Sequence, residues 1–238
     1  MSKHMKRLNA PRTMRLHRKE HIWTVKGSPG PHDLHHSIPL TTVIRDYLDF
    51  CDTYREAKNL IASGEVLVDG RPRKNHKYPC GLMDVISVPK MKKDYRFLYD
   101  KKGKLTLVPI SSTDAAFKLY RVEGKNTVKG KKTQLHFHDG GNILVDKDTY
   151  HTGDVLHITL KDNKIKDTYT FNKGTIAMIT GGSHVGEMAT IQDIHVVSSS
   201  KRNLAMMKGE QEFSTVTEYV FPIGKNKPVV SLPEVKMQ

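Results

Sequence analysis

"REAKNLIASGEVLVDGR", Arg55 to Arg71, decides how this chain is read. Just ahead of it, Thr53 and Glu56 have the spacing of a capping box. The Thr hydroxyl and the Glu carboxylate then satisfy exposed amides of a helix start reciprocally. Ala57, Leu60 and Ile61 give the helix an apolar stripe. Gly64 can take the left-handed conformation that ends it. Glu65 to Val68 reads as a short strand, and Asp69-Gly70 as the favoured two-residue hairpin turn.

The pattern extends in both directions. Upstream, Val43, Ile44, Tyr47, Leu48 and Cys51 recur at helical spacing, so a first helix is expected over Thr41 to Phe50. Downstream, Arg71, Arg73, Lys74 and Lys77 crowd a loop with no acid between Arg71 and Lys77, and Val85 to Val88 closes the unit as a strand. Arg55, Lys58 and Asn59 fall on the outward side of the second helix. They can join the loop cations in one basic face. A scattered, solvated surface is the competing reading, and the local excess of cations weighs against it.

Composition agrees with a polyanion partner. Thirty-nine Lys and Arg against twenty-five Asp and Glu leave a formal charge of +14 in 238 residues. Cations placed on phosphates release condensed counterions, which favours binding to nucleic acid. An anionic membrane would also satisfy the charge. The longest strictly apolar run, however, is about four residues (Ile176 to Ile179), against the roughly 20 a spanning helix needs. No secretory signal pattern is present. Cys51 and Cys80 are the only cysteines and form no C-x-x-C, so a reducing cytoplasm is the default.

Residues 1–31 form a basic arm with Lys3, Lys6, Arg7, Arg12, Arg15, Arg18, Lys19 and Lys26 against a single acid, Glu20. A solvated tail and an Arg-rich targeting presequence are alternatives. The favoured reading is an arm ordered on RNA, with Ile22, Trp23 and Val25 anchoring it on a folded body. From Tyr95 to Phe171 the period changes to two. Strands are expected at 95–99, 105–110, 117–122, 133–138, 142–145, 155–160 and 165–171, an all-β barrel-like arrangement. Another strand is expected over Phe213 to Phe221.

"KGTIAMITGGSHVGEMATI", Lys173 to Ile191, sets a Gly-rich tip between two strands, 175–180 and 188–194. Gly181 and Gly186 have phosphate-loop spacing, but Glu187-Met188 stands where Lys then Ser or Thr is required. A strand signature follows in place of a helix. The nucleotide-loop reading fails on both counts. As a hairpin tip, the loop can bring backbone close to whatever lies opposite, with Ser183 and His184 as donors. His136, His138 and Asp139, and the group His32, His35 and His36, lack the partners or spacing of a metal site. No G-x-S-x-G elbow is present. Nothing marks an enzyme, and neither a cofactor nor a small-molecule substrate is expected.

The tip resembles the KOW motif of ribosomal and transcription-associated proteins. Residues 40–88 resemble the two-helix RNA-binding domain named after bacterial ribosomal protein S-four. Both in this order, with "LNAPRTMRLHRK", "SPGPHDLHHSIPL", "GLMDVISV", "QLHFHDGGN" and "IGKNKPVVSLP", resemble the S-four-e family of small-subunit ribosomal proteins, in its archaeal form. The resemblance implies an α+β multidomain chain: a basic extended arm (1–39), an S-four-type domain (40–92), a central all-β domain (93–171) and a KOW, SH3-like barrel with an extended tail (172–238). It implies a cytoplasmic, ribosome-bound structural protein whose partners are small-subunit ribosomal RNA and neighbouring ribosomal proteins, with no membrane. A subunit of an RNA-modification enzyme and a transcription-elongation factor are the alternatives. The expected RNA ligands are Lys3, Lys6, Arg7, Arg12, Arg15, Arg18, Lys19, Arg45, Arg55, Lys58, Asn59, Arg71, Arg73, Lys74, Lys77, Lys173, Ser183 and His184. The family's loop usually reads Gly-Gly-x-Asn-x-Gly-Arg-x-Gly. Here His184, Glu187 and Ala189 replace the Asn, the Arg and the last Gly, which removes a phosphate contact.

Overall fold

The sheets are antiparallel in every pairing whose register is resolved, and the helices are few and short. A computed structural model describes residues 4–146, 148–225 and 227–231. The chain divides into two compact units. One comprises described residues up to 98 together with 104–118, and the other 99–103 with those from 119 onward.

The first unit opens with strands β1 (Met5–Lys6) and β2 (Trp23–Thr24), paired antiparallel, and then β3 (Ser37–Pro39). Helix α1 (Leu40–Thr42) runs into a widened turn over Val43–Tyr47, where the Leu48 amide donates to the Val43 carbonyl at 3.1 Å. The helix expected over 41–50 is therefore shorter and looser than its spacing implied. Asp49, with φ +50°, marks its end. Helix α2 (Tyr54–Ala62) carries the expected cap: the Glu56 amide donates to Thr53 Oγ1 at 3.3 Å, and the Thr53 amide to Glu56 Oε2 at 3.4 Å. Ala57 and Ile61 are fully buried along its inner stripe. Thr53→Ala should cost about 1 kcal/mol in urea unfolding, because it orphans a helix-start amide. A loss below about 0.3 kcal/mol would mean that the cap is idle.

Strands β4 (Leu67–Val68) and β5 (Arg71–Pro72) are joined at Asp69 and Gly70, both with positive φ (+52° and +73°), as a primed hairpin turn demands. Strands β6 (Pro79–Gly81), β7 (Val85–Val88), β8 (Lys93–Tyr99) and β9 (Leu105–Ile110) follow, giving the sheet order β5-β4-β7-β8-β9, while β6 pairs with β3.

A buried ionic cluster ties this unit together. Lys118, fully buried, donates to Asp69 Oδ2 at 2.8 Å and to Asp84 Oδ1 at 2.6 Å. His32 Nε2 lies 3.0 Å from both Asp84 oxygens, and the Gly81 amide donates to Asp84 Oδ2 at 2.9 Å. Burial pushes the Asp84 carboxyl up, but His32 and Lys118 outweigh it and hold the group below the usual carboxylate range. Burial, with help from Asp84, keeps Asp69 raised against the pull of Lys118.

The second unit holds two five-stranded sheets. The first, from β10 (Phe117–Val128), β11 (Lys132–Phe137), β12 (Asn142–Val145), β13 (Val155–Thr159) and β14 (Ile165–Tyr169), has the order β12-β11-β10-β13-β14. Its core is Val122, Leu135, Phe137, Leu156 and Ile158. The second, from β15 (Ile176–Ile179), β16 (Met188–His195), β17 (Leu204–Lys208), β18 (Glu212–Val216) and β19 (Val220–Gly224), has the order β18-β17-β16-β15-β19. Ala177, Ile179, Ala189, Ile191, Ala205, Met207 and Val220 form its core. The single strand expected over 213–221 is broken by a tight turn at Thr217–Tyr219, which sends β19 across to β15.

Candidate nucleic-acid interface

Helix α2 turns Arg55, Lys58 and Asn59 outward, because Ala57 and Ile61 occupy its buried stripe. The loop that follows β5 runs back along this helix. Tyr54 at the helix start meets His76 edge-on, at 5.8 Å between ring centroids. At the other end, the Lys74 stem passes so close to Gly64 that a Cβ there would lie 3.8 Å from Lys74 Cε. The His76 imidazole is held below its ordinary value by burial, then by the charges of Lys58 and Lys77. The helix cations and the loop cations therefore share one surface, as the sequence led us to expect.

The loop is fixed. The Lys77 carbonyl accepts from the Ser28 amide at 2.9 Å, the His76 carbonyl from the Thr41 amide at 3.0 Å, and the Tyr78 carbonyl from the Leu40 amide at 2.9 Å. Asn75 donates to Ser28 Oγ at 3.1 Å and accepts from the Lys77 amide at 3.0 Å. Arg71 and Lys74 are exposed; Arg73 stacks over Tyr78, 4.7 Å from the ring centroid, and Lys77 is half-buried.

The first residues differ from an arm awaiting a partner. Met5, Ala10 and Met14 are buried, and the Leu105 amide donates to the Thr13 carbonyl at 2.9 Å. Arg7, only 4% exposed, lies 3.8 Å from Glu20 and 4.0 Å from Asp46. Arg18 donates to the carbonyls of Leu8, Ala10 and Pro11 at 3.2, 2.7 and 2.8 Å. These two cations brace the segment itself. Lys6, Arg12, Arg15 and Lys19 are exposed, and the Arg15 amide donates to the Tyr47 hydroxyl at 2.7 Å. Arg45 grips Asp46 with two bonds of 2.9 Å. Lys3 lies outside the described residues. Of the expected anchor residues Ile22, Trp23 and Val25, the first two are 70% and 58% exposed and Val25 is half-buried; the buried apolar side chains here are Met5, Ala10 and Met14.

In the second unit the Gly-rich tip is packed on its own surroundings. A Cβ on Gly181 would lie 2.6 Å from the Tyr219 ring, and one on Gly186 (φ +78°) 2.5 Å from the Asp100 carbonyl. His184 stacks on Phe213 at 4.0 Å with planes 14° apart, and its Nδ1 is 3.1 Å from Glu187 Oε2. Two of the three replacements in this loop, His184 and Glu187, thus make an internal pair. Ser183 is exposed, and Lys173 pairs with Asp193 at 2.8 Å.

Among the described residues, no three His, Cys, Asp or Glu side chains converge as metal ligands, and no helix is long and apolar enough to cross a membrane.

The family model described as Ribosomal family S4e matches residues 91–165, the RS4NT (NUC023) domain 1–35 and the S4 domain 40–86. The small ribosomal subunit protein eS4 of Methanosphaera stadtmanae is 48% identical over 97% of this chain and 95% of its own length. This chain belongs to the S4e family of ribosomal proteins. The eS4 protein of Methanothermobacter thermautotrophicus is 46% identical over 97% of the chain and 96% of its own. The crystal structure of the 30S ribosomal protein S4e from Thermoplasma acidophilum superposes with a TM-score of 0.71 at 36% identity, covering 80% of this chain and 96% of that one. The basic surface of α2 and its loop falls in the stretch matched by the S4 domain, residues 40–86. Sequence reasoning missed what lies beneath the S4e surface. Lys118 sits between Phe117 and Leu119 in a stretch buried on both faces, so no alternation flagged it as inward.

Proposed function

We propose that this chain is a structural constituent of the small ribosomal subunit, holding folded ribosomal RNA by charge and shape without turnover. The observation that carries the reading is the fixed surface of Arg55, Lys58, Asn59, Arg71 and Lys74, with Arg73 and Lys77 at its edge. The backbone that presents these cations is already ordered, so binding does not have to fold the loop. Lys6, Arg12, Arg15 and Lys19 extend the grip. Arg7 and Arg18 shape the surface from below through the internal contacts described above. Lys173 and Ser183 are the second unit's contribution, and the His184–Glu187 pair makes that loop the weaker contact.

The layout we propose is an N-terminal segment (1–39), an S4-type domain (40–92), a central all-β domain (93–171) and a KOW-type SH3-like barrel ending in an extended tail (172–238). Small-subunit ribosomal RNA and neighbouring ribosomal proteins are the partners, in the cytoplasmic ribosome. The tagged chain, expressed in an archaeal cell, should sediment with small subunits. Sedimentation with RNA polymerase, or at the top of the gradient, would overturn this reading.

A further inference from the structure

Trp23 is the only tryptophan of the chain and is 58% exposed. Its backbone is held by pairing with Lys6, and its ring meets His4 at 5.9 Å and 60°. Tyr54, 38% exposed, stands at the start of α2 against His76. Trp23 and Tyr54 line one cleft of about 320 Å³, together with Lys26, Arg45 and Lys77. None of the lining residues is acidic. Asp46 fixes the Arg45 guanidinium at the rim.

An exposed indole is costly to leave in water and is well suited to stacking. Aromatic faces flanked by cations hold unstacked nucleotides, the ring taking the base and the cations the backbone on either side. A base inside a duplex has both faces covered and cannot use such a cleft, whereas a bulged or looped base can. We propose that this cleft is a subsite for one splayed-out nucleobase of ribosomal RNA, stacked on the Trp23 indole, with flanking phosphates held by Lys26, Arg45 and Lys77. The inference rests on the RNA-binding reading above and adds a recognition element to it: unpaired structure, which charge alone does not distinguish.

The test uses the full chain and three fluorescein-labelled RNA hairpins: one with a single bulged nucleotide, the same hairpin with an abasic residue at the bulge, and a fully paired one. Anisotropy reads binding, and emission of the sole tryptophan reads stacking. The bulged hairpin should bind about tenfold more tightly than the abasic one, because stacking is strong and tolerant of base identity. It should also quench the tryptophan. Trp23→Ala should bring the bulged hairpin to within twofold of the abasic one while leaving binding of the paired hairpin unchanged. Trp23→Phe should keep most of the preference, and Tyr54→Ala should lower it. Equal binding of all three hairpins with unmoved emission would overturn the base subsite and leave the cationic grip standing. Emission that moves only on adding neighbouring ribosomal proteins would also overturn it, giving the cleft to a protein contact. No binding to any hairpin at low salt would overturn the RNA reading itself.

Discussion

Lys118→Met is expected to destabilise the first unit by about 3–5 kcal/mol, the cost of breaking a buried ion pair from one side. The substitution removes the cation on which Asp69 and Asp84 both converge and leaves two carboxylates facing one another in the interior. His32 Nε2 and the Gly81 amide remain against Asp84. The pH dependence carried by Asp69 should grow. In the native chain the depressed Asp84 contributes stability present above about pH 4 and lost as pH falls toward its folded value. The raised Asp69 works the other way, its ionised form being disfavoured by folding. Without Lys118 the Asp69 carboxyl loses the cation that offsets its burial and is raised further. A raised carboxyl contributes most below its unfolded value and loses that contribution as pH rises, so the variant should recover more stability between pH 7 and pH 5 than the native chain. Urea unfolding at both values reads this directly. A loss under 1 kcal/mol, or no recovery at pH 5, would mean that the cluster is a passenger.

Neutralising Arg55, Lys58, Arg71 and Lys74 together to Gln should weaken binding to small-subunit ribosomal RNA by about 10²–10³-fold at physiological salt. Each phosphate contact contributes roughly fivefold there by counterion release. All four side chains are exposed, so the free protein should unfold within about 0.5 kcal/mol of the parent. Filter binding beside urea unfolding separates the two effects. Unfolding of the variant would make these residues structural, and unchanged affinity would place the RNA elsewhere.

Local chemistry was legible where one residue dictates one geometry. The Thr53–Glu56 cap, the Asp69-Gly70 turn and the strands at 85–88, 105–110 and 142–145 all stand where their sequence put them. The basic surface was legible because α2 has a narrow buried stripe and its cations fall on the other side. What failed depended on distant partners. The first residues look like a tail because their buried apolar residues, Met5, Ala10 and Met14, form no stripe; contacts far along the chain hold them. Arg7 and Arg18 cannot be told from Lys6 or Arg12 by spacing. Strand β17 reads "LAMMK", without the β-branched residues that mark strands, and forms because β16 and β18 pair on either side of it. At the Gly-rich tip the sequence could not name what the glycines approach, which is the Tyr219 ring and the Asp100 carbonyl.

The most direct test is a salt titration of the intact chain on small-subunit ribosomal RNA. Log affinity should fall linearly and steeply with log salt, and the four-cation variant should show a slope shallower by about 3–4, one step of 0.7–0.9 per lost phosphate contact. Affinity that ignores salt, or equal slopes for parent and variant, would contradict a cationic grip centred on α2 and its loop.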